Sequence, residues 1–203
     1  MSDPVPFACR CGEVRGRVEN PARGGALRVK CHCRDCQSFA HYCGAADHVL
    51  DSQQGTDLYL ARCVTFVIEQ GRDALACVHL TDKATLRWYC GACRTPMFNT
   101  FENGKWPYLS VFVAGCEAGA RDRLGPVAGH LFVEDGSGGE GLKRISMLRF
   151  VPGVMRRMAS DIASGARRRN PLFDPQTLAP IAGPHRLDAG ERAELAQAME
   201  RAA

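Results

Sequence analysis

No apolar run in this 203-residue chain approaches the length of a bilayer: the longest, around Tyr108 to Ala114, falls far short of the roughly 18 residues that a spanning helix needs. The opening residues, Met1-Ser2-Asp3-Pro4, lack the basic stretch and apolar segment of a secretory signal, so the expected location is cytoplasmic. An internal repeat of fixed period is also missing, which sets aside solenoids and propellers. Charge of one sign is scarcely in excess. The 26 Lys and Arg against 22 Asp and Glu leave a formal net charge of +4, too mild to argue for nucleic acid as a partner. Finally, the cysteine count is not even. Eleven cysteines do not suit a fully paired disulfide framework, and a chain without an export signal is expected where thiols stay reduced.

What is present is enough apolar material, 45% of residues, for one substantial core with an appendage. Val14, Gly16 and Val18 alternate with Arg15, Arg17 and Glu19 at the period of a half-buried strand. Further strands are expected over Leu27–Lys30, Leu58–Leu60, Val64–Glu69, Leu75–Leu80, Thr85–Tyr89 and Tyr108–Val113, all rich in β-branched or aromatic residues. The turn signals Gln70-Gly71-Arg72-Asp73 and Glu102-Asn103-Gly104-Lys105 separate some of them. Residues 1–140 therefore read as a mainly β unit. Beyond the Gly/Ser-rich stretch Asp135–Gly141 the period changes: Leu142, Ile145, Leu148, Val151, Val154, Met155, Met158 and Ile162 recur at helical spacing, interrupted or restarted near Pro152. Residues 141–203 thus read as a basic helical extension, leading into Arg167-Arg168-Arg169, and from Asn170 onward as an irregular, proline-marked tail with a last short helix near Ala189–Ala202. The arginine run reads as a solvated basic face in preference to a site for an anionic partner.

Seven cysteines fall in three tight groups: Cys9-Arg10-Cys11, Cys31-His32-Cys33-Arg34-Asp35-Cys36 and Cys90-Gly91-Ala92-Cys93. Cys43, Cys63, Cys77 and Cys116 stand apart. Tetrahedral zinc needs four donors, and two short cysteine pairs supply them at small entropic cost. Cys9, Cys11, Cys90 and Cys93 are the expected closed site, clamping the first strands to a turn roughly eighty residues further along, where a cross-link gives the largest loop-entropy gain. Cys31, Cys33 and Cys36 provide three thiolates, the usual provision at a catalytic zinc. Their fourth position is either open or filled by Cys43, His41, His32 or Asp35. The expected cofactor is Zn2+, two ions per chain.

Taken in order, Cys9-Arg10-Cys11-Gly12-Glu13-Val14, then Cys31-His32-Cys33-Arg34-Asp35-Cys36, then Cys90-Gly91-Ala92-Cys93 resemble the three-part signature of the glutathione-dependent formaldehyde-activating enzyme family, which also includes the centromere protein V group. The resemblance spans roughly Phe7 to Val113. It implies a small β-tent of packed antiparallel sheets, a structural zinc at Cys9, Cys11, Cys90 and Cys93, and a second zinc at Cys31, Cys33 and Cys36. It also implies a carbon–sulfur lyase activity: a small thiol such as glutathione, its pKa lowered by the second zinc, attacks formaldehyde to give S-hydroxymethylglutathione. Arg34, Lys30 and Arg94 are the candidates to meet the carboxylates of the thiol substrate. The competing expectation is a non-catalytic, zinc-stabilised binding module for a protein or anionic partner.

Overall fold

The computed structural model describes residues 3–21, 27–138 and 141–202. Gly139 and Glu140, at the boundary expected between the two units, lie outside the described residues. In chain order the elements are β1 (Val5–Ala8), β2 (Arg15–Val18), β3 (Leu27–Cys31), α1 (Arg34–Tyr42), α2 (Ala46–Val49), β4 (Thr56–Leu60), β5 (Phe66–Gln70), β6 (Leu75–His79), β7 (Thr85–Cys90), β8 (Pro96–Phe101), β9 (Leu109–Phe112), β10 (Val127–Leu131), α3 (Met147–Ala163), β11 (His185–Arg186) and α4 (Ala189–Ala202). Eight strands form one sheet in the order β10-β3-β4-β9-β8-β7-β6-β11, and β1, β2 and β5 form a second.

Side-chain alternation on the large sheet separates two cores. From β7, Leu86, Trp88 and Cys90 point toward the three-stranded sheet, where they join Val5, Phe7, Val18 and Phe66. There Phe7 stacks on Phe66 with centroids 5.3 Å apart and Phe66 meets Phe98 edge-on at 4.8 Å. Burying a side chain of this size contributes roughly 2–3 kcal/mol, so this aromatic cluster is a major part of what holds the sheets together. The opposite face carries Val29, Cys31, Leu58, Leu60 and Phe112, which pack with Phe39 and Ala40 of α1. Ile145, Phe150 and Val154 from around α3, and Leu195 of α4, close over this second core.

The fold is mixed α/β, so the mainly β expectation holds only in part. Both edge strands of the large sheet, β10 beside β3 and β11 beside β6, pair parallel to their neighbours, unlike the antiparallel interior. Helix α1 begins immediately after Cys33, where the cysteine-rich composition hides its short apolar face of Phe39 and Ala40. Strand β8, Pro-Met-Phe-Asn-Thr-Phe, is buried on both faces and so shows no alternation to read. Helix α3 starts at Met147, not Leu142, and runs through Pro152 without a break. Pro152 lies early in the helix, so its missing N–H costs one bond near the first turns. The helix docks through Met158 and Asp161, both buried, with Asp161 ion-paired to Arg62. Two of the three arginines in the 167–169 run serve the chain itself: Arg167 donates to the Lys105 carbonyl at 3.3 Å, and Arg168 to those of Pro175 at 2.6 Å and Gln176 at 3.1 Å.

Candidate metal centres and the adjoining cavity

The turn after β1 and the turn after β7 bring two cysteine pairs together. Gly12, with φ +75°, lets the first turn close, and its N–H donates to the Cys9 carbonyl at 2.9 Å. In the second turn the Cys90 N–H donates to Thr95 O at 3.0 Å and the Arg94 N–H to Cys90 O at 2.8 Å, with Arg94 itself left-handed at φ 56°. The turns are stitched to each other by the Arg10 N–H, 3.0 Å from Thr95 Oγ1. As a result the Sγ atoms of Cys9, Cys11, Cys90 and Cys93 all lie within 4.8 Å of one another, with Cys9–Cys11 at 3.4 Å and Cys11–Cys90 at 3.8 Å. A zinc tetrahedron with bonds of about 2.3 Å has an edge of roughly 3.8 Å, and a disulfide requires about 2.05 Å, so these spacings suit four thiolates around one ion. The Val14 N–H donates to Cys9 Sγ at 3.2 Å, support suited to a charged sulfur. Burial raises the Cys93 thiol, but the Thr95 hydroxyl, 3.0 Å away, and backbone N–H groups outweigh it and bring the thiol down to about 6.

The second group sits where β3 passes into α1. Cys31 closes the strand, Cys33 precedes the first helical residue, and Cys36 lies one turn in, so their Sγ atoms fall within 4.8 Å of one another, Cys31 and Cys33 at 3.3 Å. No fourth Cys, His, Asp or Glu joins this group among the described residues. His32 is turned away. Its Nδ1–H donates to the Gln53 carbonyl at 3.0 Å, and its Nε2 accepts from His130 Nδ1–H at 2.9 Å, tautomers assigned from the hydrogen-bond network. The ring is held closely enough that a Cβ on Gly136 would lie 2.7 Å from its Nδ1. Asp35 is engaged by Lys83 at 2.7 Å.

Arg87, buried on β7, sits behind the three thiols with Nη1 3.5 Å from Cys36 Sγ and 2.8 Å from Asn99 Oδ1; Asn99 in turn donates to Ser110 Oγ at 3.0 Å. The ladder follows the sheet register, in which Arg87 faces Asn99 and Asn99 faces Ser110. Hydrogen bonds from Cys31 and Cys33, helped by Arg87, outweigh burial and hold the Cys36 thiol well below its ordinary range. Burial lowers Arg87, but the charges of Cys36 and Cys33 keep it above its ordinary value. Sequence reasoning passed over Arg87, Asn99 and Ser110. The available signal was an arginine inside the apolar run Leu86-Arg87-Trp88-Tyr89, since a charge within a buried strand requires a partner.

The three-thiol group opens on a cavity of about 770 Å³ between the large sheet, α1, α3 and α4, within the range of small-molecule sites. Cys31, Cys33 and Cys36 lie on its wall with Arg34 and Arg87. Lys30 and Arg94 do not line it. Lys30 is ion-paired with Asp51 at 2.6 Å, and Arg94 donates to the Tyr42 carbonyl with its guanidinium over the Tyr42 ring at 4.5 Å. The remaining cysteines, Cys43, Cys63, Cys77 and Cys116, are buried and unpaired, each thiol pushed up to about 12 chiefly by that burial, which makes them unreactive.

These features define a mixed α/β protein with two candidate soft-metal centres, one enclosed by four thiols and one of three thiols facing a cavity. The chain belongs to the family described as "Family of unknown function (DUF6151)", which it matches over residues 1–182. No curated protein matches it. It is similar to a Rhodobacter sphaeroides protein of known crystal structure, at 21% identity and a TM-score of 0.41, over 60% of this chain and 96% of that one. A likeness that weak carries no argument about fold or activity.

Proposed function

We propose that this protein is a zinc enzyme of the carbon–sulfur lyase type, joining a small thiol, glutathione or another, to formaldehyde or a related small aldehyde and reversing that addition. The observation that carries the reading is the three-thiol group on the wall of a 770 Å³ cavity, with no fourth residue ligand among the described residues. Sulfur-only donors at tetrahedral spacing favour zinc over harder cations. On this reading Cys9, Cys11, Cys90 and Cys93 hold a structural ion, and Cys31, Cys33 and Cys36 hold the one at the reaction site. A zinc ion held by three thiolates supplies Lewis acidity that lowers the pKa of a thiol presented at its open position.

The chain's own groups do the rest. Arg87 offsets the excess negative charge of the thiolates, and Asn99 and Ser110 fix its orientation. On this reading the apolar part of the wall excludes water from the carbonyl, and Arg34, which lines the cavity, meets a substrate carboxylate. In the addition a sulfur–carbon bond forms as the carbonyl π bond breaks, and the thiol proton ends on the new hydroxyl oxygen. Asp35 and Asp135, both on the cavity wall, are carboxylates suited to carry that proton. The same reading relates the paired sheets to the β-tent of the formaldehyde-activating family. It takes residues 1–140 as the metal-binding unit, 141–203 as its helical extension and the reducing cytoplasm as the working location.

One observation favours a second reading, a non-catalytic zinc-stabilised binding module: α3 leaves Leu148, Val151 and Met155 exposed, the first at 88%. Zinc X-ray absorption separates the two. Millimolar glutathione, or another of several small thiols, is expected to add a sulfur to the average zinc environment of the wild type, and Cys33→Ala to abolish the change while the fold persists. If no thiol alters the zinc environment, the lyase reading gives way to the binding module.

A further inference from the structure

Three of the four cations that line the cavity are already committed. Lys83 is paired with Asp35 at 2.7 Å and Arg192 with Asp82 at 2.8 Å, while Arg87 is turned onto Cys36 and Asn99. That leaves Arg34 as the cavity-lining cation without a hydrogen-bond or ion-pair partner among the described residues. Much of the remaining wall is apolar, with Leu80 and Phe101 from the sheet side, Leu131 from β10, Phe150 from α3, and Leu195 and Met199 from α4, while Ser38, Thr81, Thr85 and Asp135 add polar groups but no cation. Glutathione carries two carboxylates and an ammonium. Seating it would leave at least one carboxylate without a cationic partner, or break an existing pair to satisfy it, and burying an unpaired charge is costly. A hydrocarbon body gains from the same surface.

Resting on the reading that the three-thiol centre accepts a ligand sulfur, we propose that the cavity selects a thiol with an apolar or aromatic body and at most one carboxylate, in preference to glutathione. The sulfur approaches Cys33, the least buried of the three cysteines, and the body lies against Phe150 and Leu195. The wall supplied by α4 lies beyond residue 182, so this selectivity is built partly from the segment that follows the family match.

The test uses the full chain loaded with cobalt(II), whose sulfur-to-metal absorption reports a new ligand directly. The probes are 2-phenylethanethiol and glutathione. The phenyl thiol is expected to perturb the spectrum at a concentration at least tenfold lower than glutathione. Leu195→Asp should raise its half-saturation point tenfold or more while the thiol-free spectrum stays unchanged. Ala196→Asp, on the same wall at an exposed position, gives the same reading should Leu195→Asp fail to fold. Glutathione binding as tightly as the phenyl thiol, or indifference of the phenyl thiol to both wall variants, overturns the selectivity and leaves the lyase reading standing. A spectrum unmoved by either thiol removes the open centre itself, and the selectivity with it.

Discussion

A guanidinium buried against a thiolate has given up its water, and its charge must be answered locally or the strand that carries it will not bury. Arg87 meets that condition twice over, through Cys36 and through Asn99, and each contact also serves the metal site: the first offsets thiolate charge, the second aims the planar group. Replacing it by methionine keeps most of the volume and removes both. We expect Arg87→Met to weaken metal binding at the three-thiol centre by about 10- to 100-fold, the usual size of a lost supporting contact. The four-thiol centre should be unaffected, so a chromophoric chelator titration should change from two closely spaced releases to one early and one late. Unchanged release of both ions would mean that Arg87 serves only the fold. The thiol ligands themselves are legible residue by residue in the sequence because metal chelation by paired cysteines is local, whereas Arg87 reaches its partners across strand pairings that no local pattern records.

Between elements, the two centres act at different ranges. The four-thiol group joins the turn after β1 to the turn after β7, with Cys11 and Cys90 standing 79 positions apart, while Cys31 and Cys36 stand five positions apart. Loop-closure entropy grows as about (3/2)RT ln n, so the long cross-link contributes about 2 kcal/mol more than the short one from chain entropy alone. Cys90→Ser is therefore expected to lose more unfolding free energy than Cys36→Ser, by roughly that amount, in urea titrations of zinc-saturated protein. Equal losses would contradict the division into a clamp and a cavity-side centre. The strands that alternate cleanly, helix α3 with its clean apolar period, and the position of α4 were legible at this scale. Helix α1, β8 and the parallel edge strand β10 were not. Composition masks α1, burial on both faces removes the alternation of β8, and β10 pairs with β3, about a hundred residues earlier.

At the level of the whole molecule, the two sulfur groups lie on opposite sides of one sheet arrangement. One lies at the turns beside the aromatic core between the sheets, with Cys9 and Cys90 buried and Cys11 exposed, and the other is on the face covered by α1, α3 and α4. Fully loaded protein prepared with reductant and without chelator is expected to contain two zinc ions per chain by elemental analysis. One ion per chain would eliminate the cavity-side centre. Stripping both ions should lower the melting temperature substantially, because the folded state alone brings each set of ligands together and loses the metal-binding free energy with the ion.

The sequence by itself determined which cysteines gather, in what groups and with what chemistry, because ligand spacing within a turn is a property of a few consecutive residues. It also determined that no long apolar helix is available and that the C-terminal third carries two helices separated by an irregular stretch. Tertiary structure alone decided that His32 points to His130 and away from the thiols, and that Lys30 and Arg94 are spent elsewhere. It also decided that three thiols face an apolar cavity roofed by helices more than a hundred residues downstream. Those outcomes depend on strand order, register and the competition of each charged group for its nearest partner, and these are settled only when the whole chain has packed.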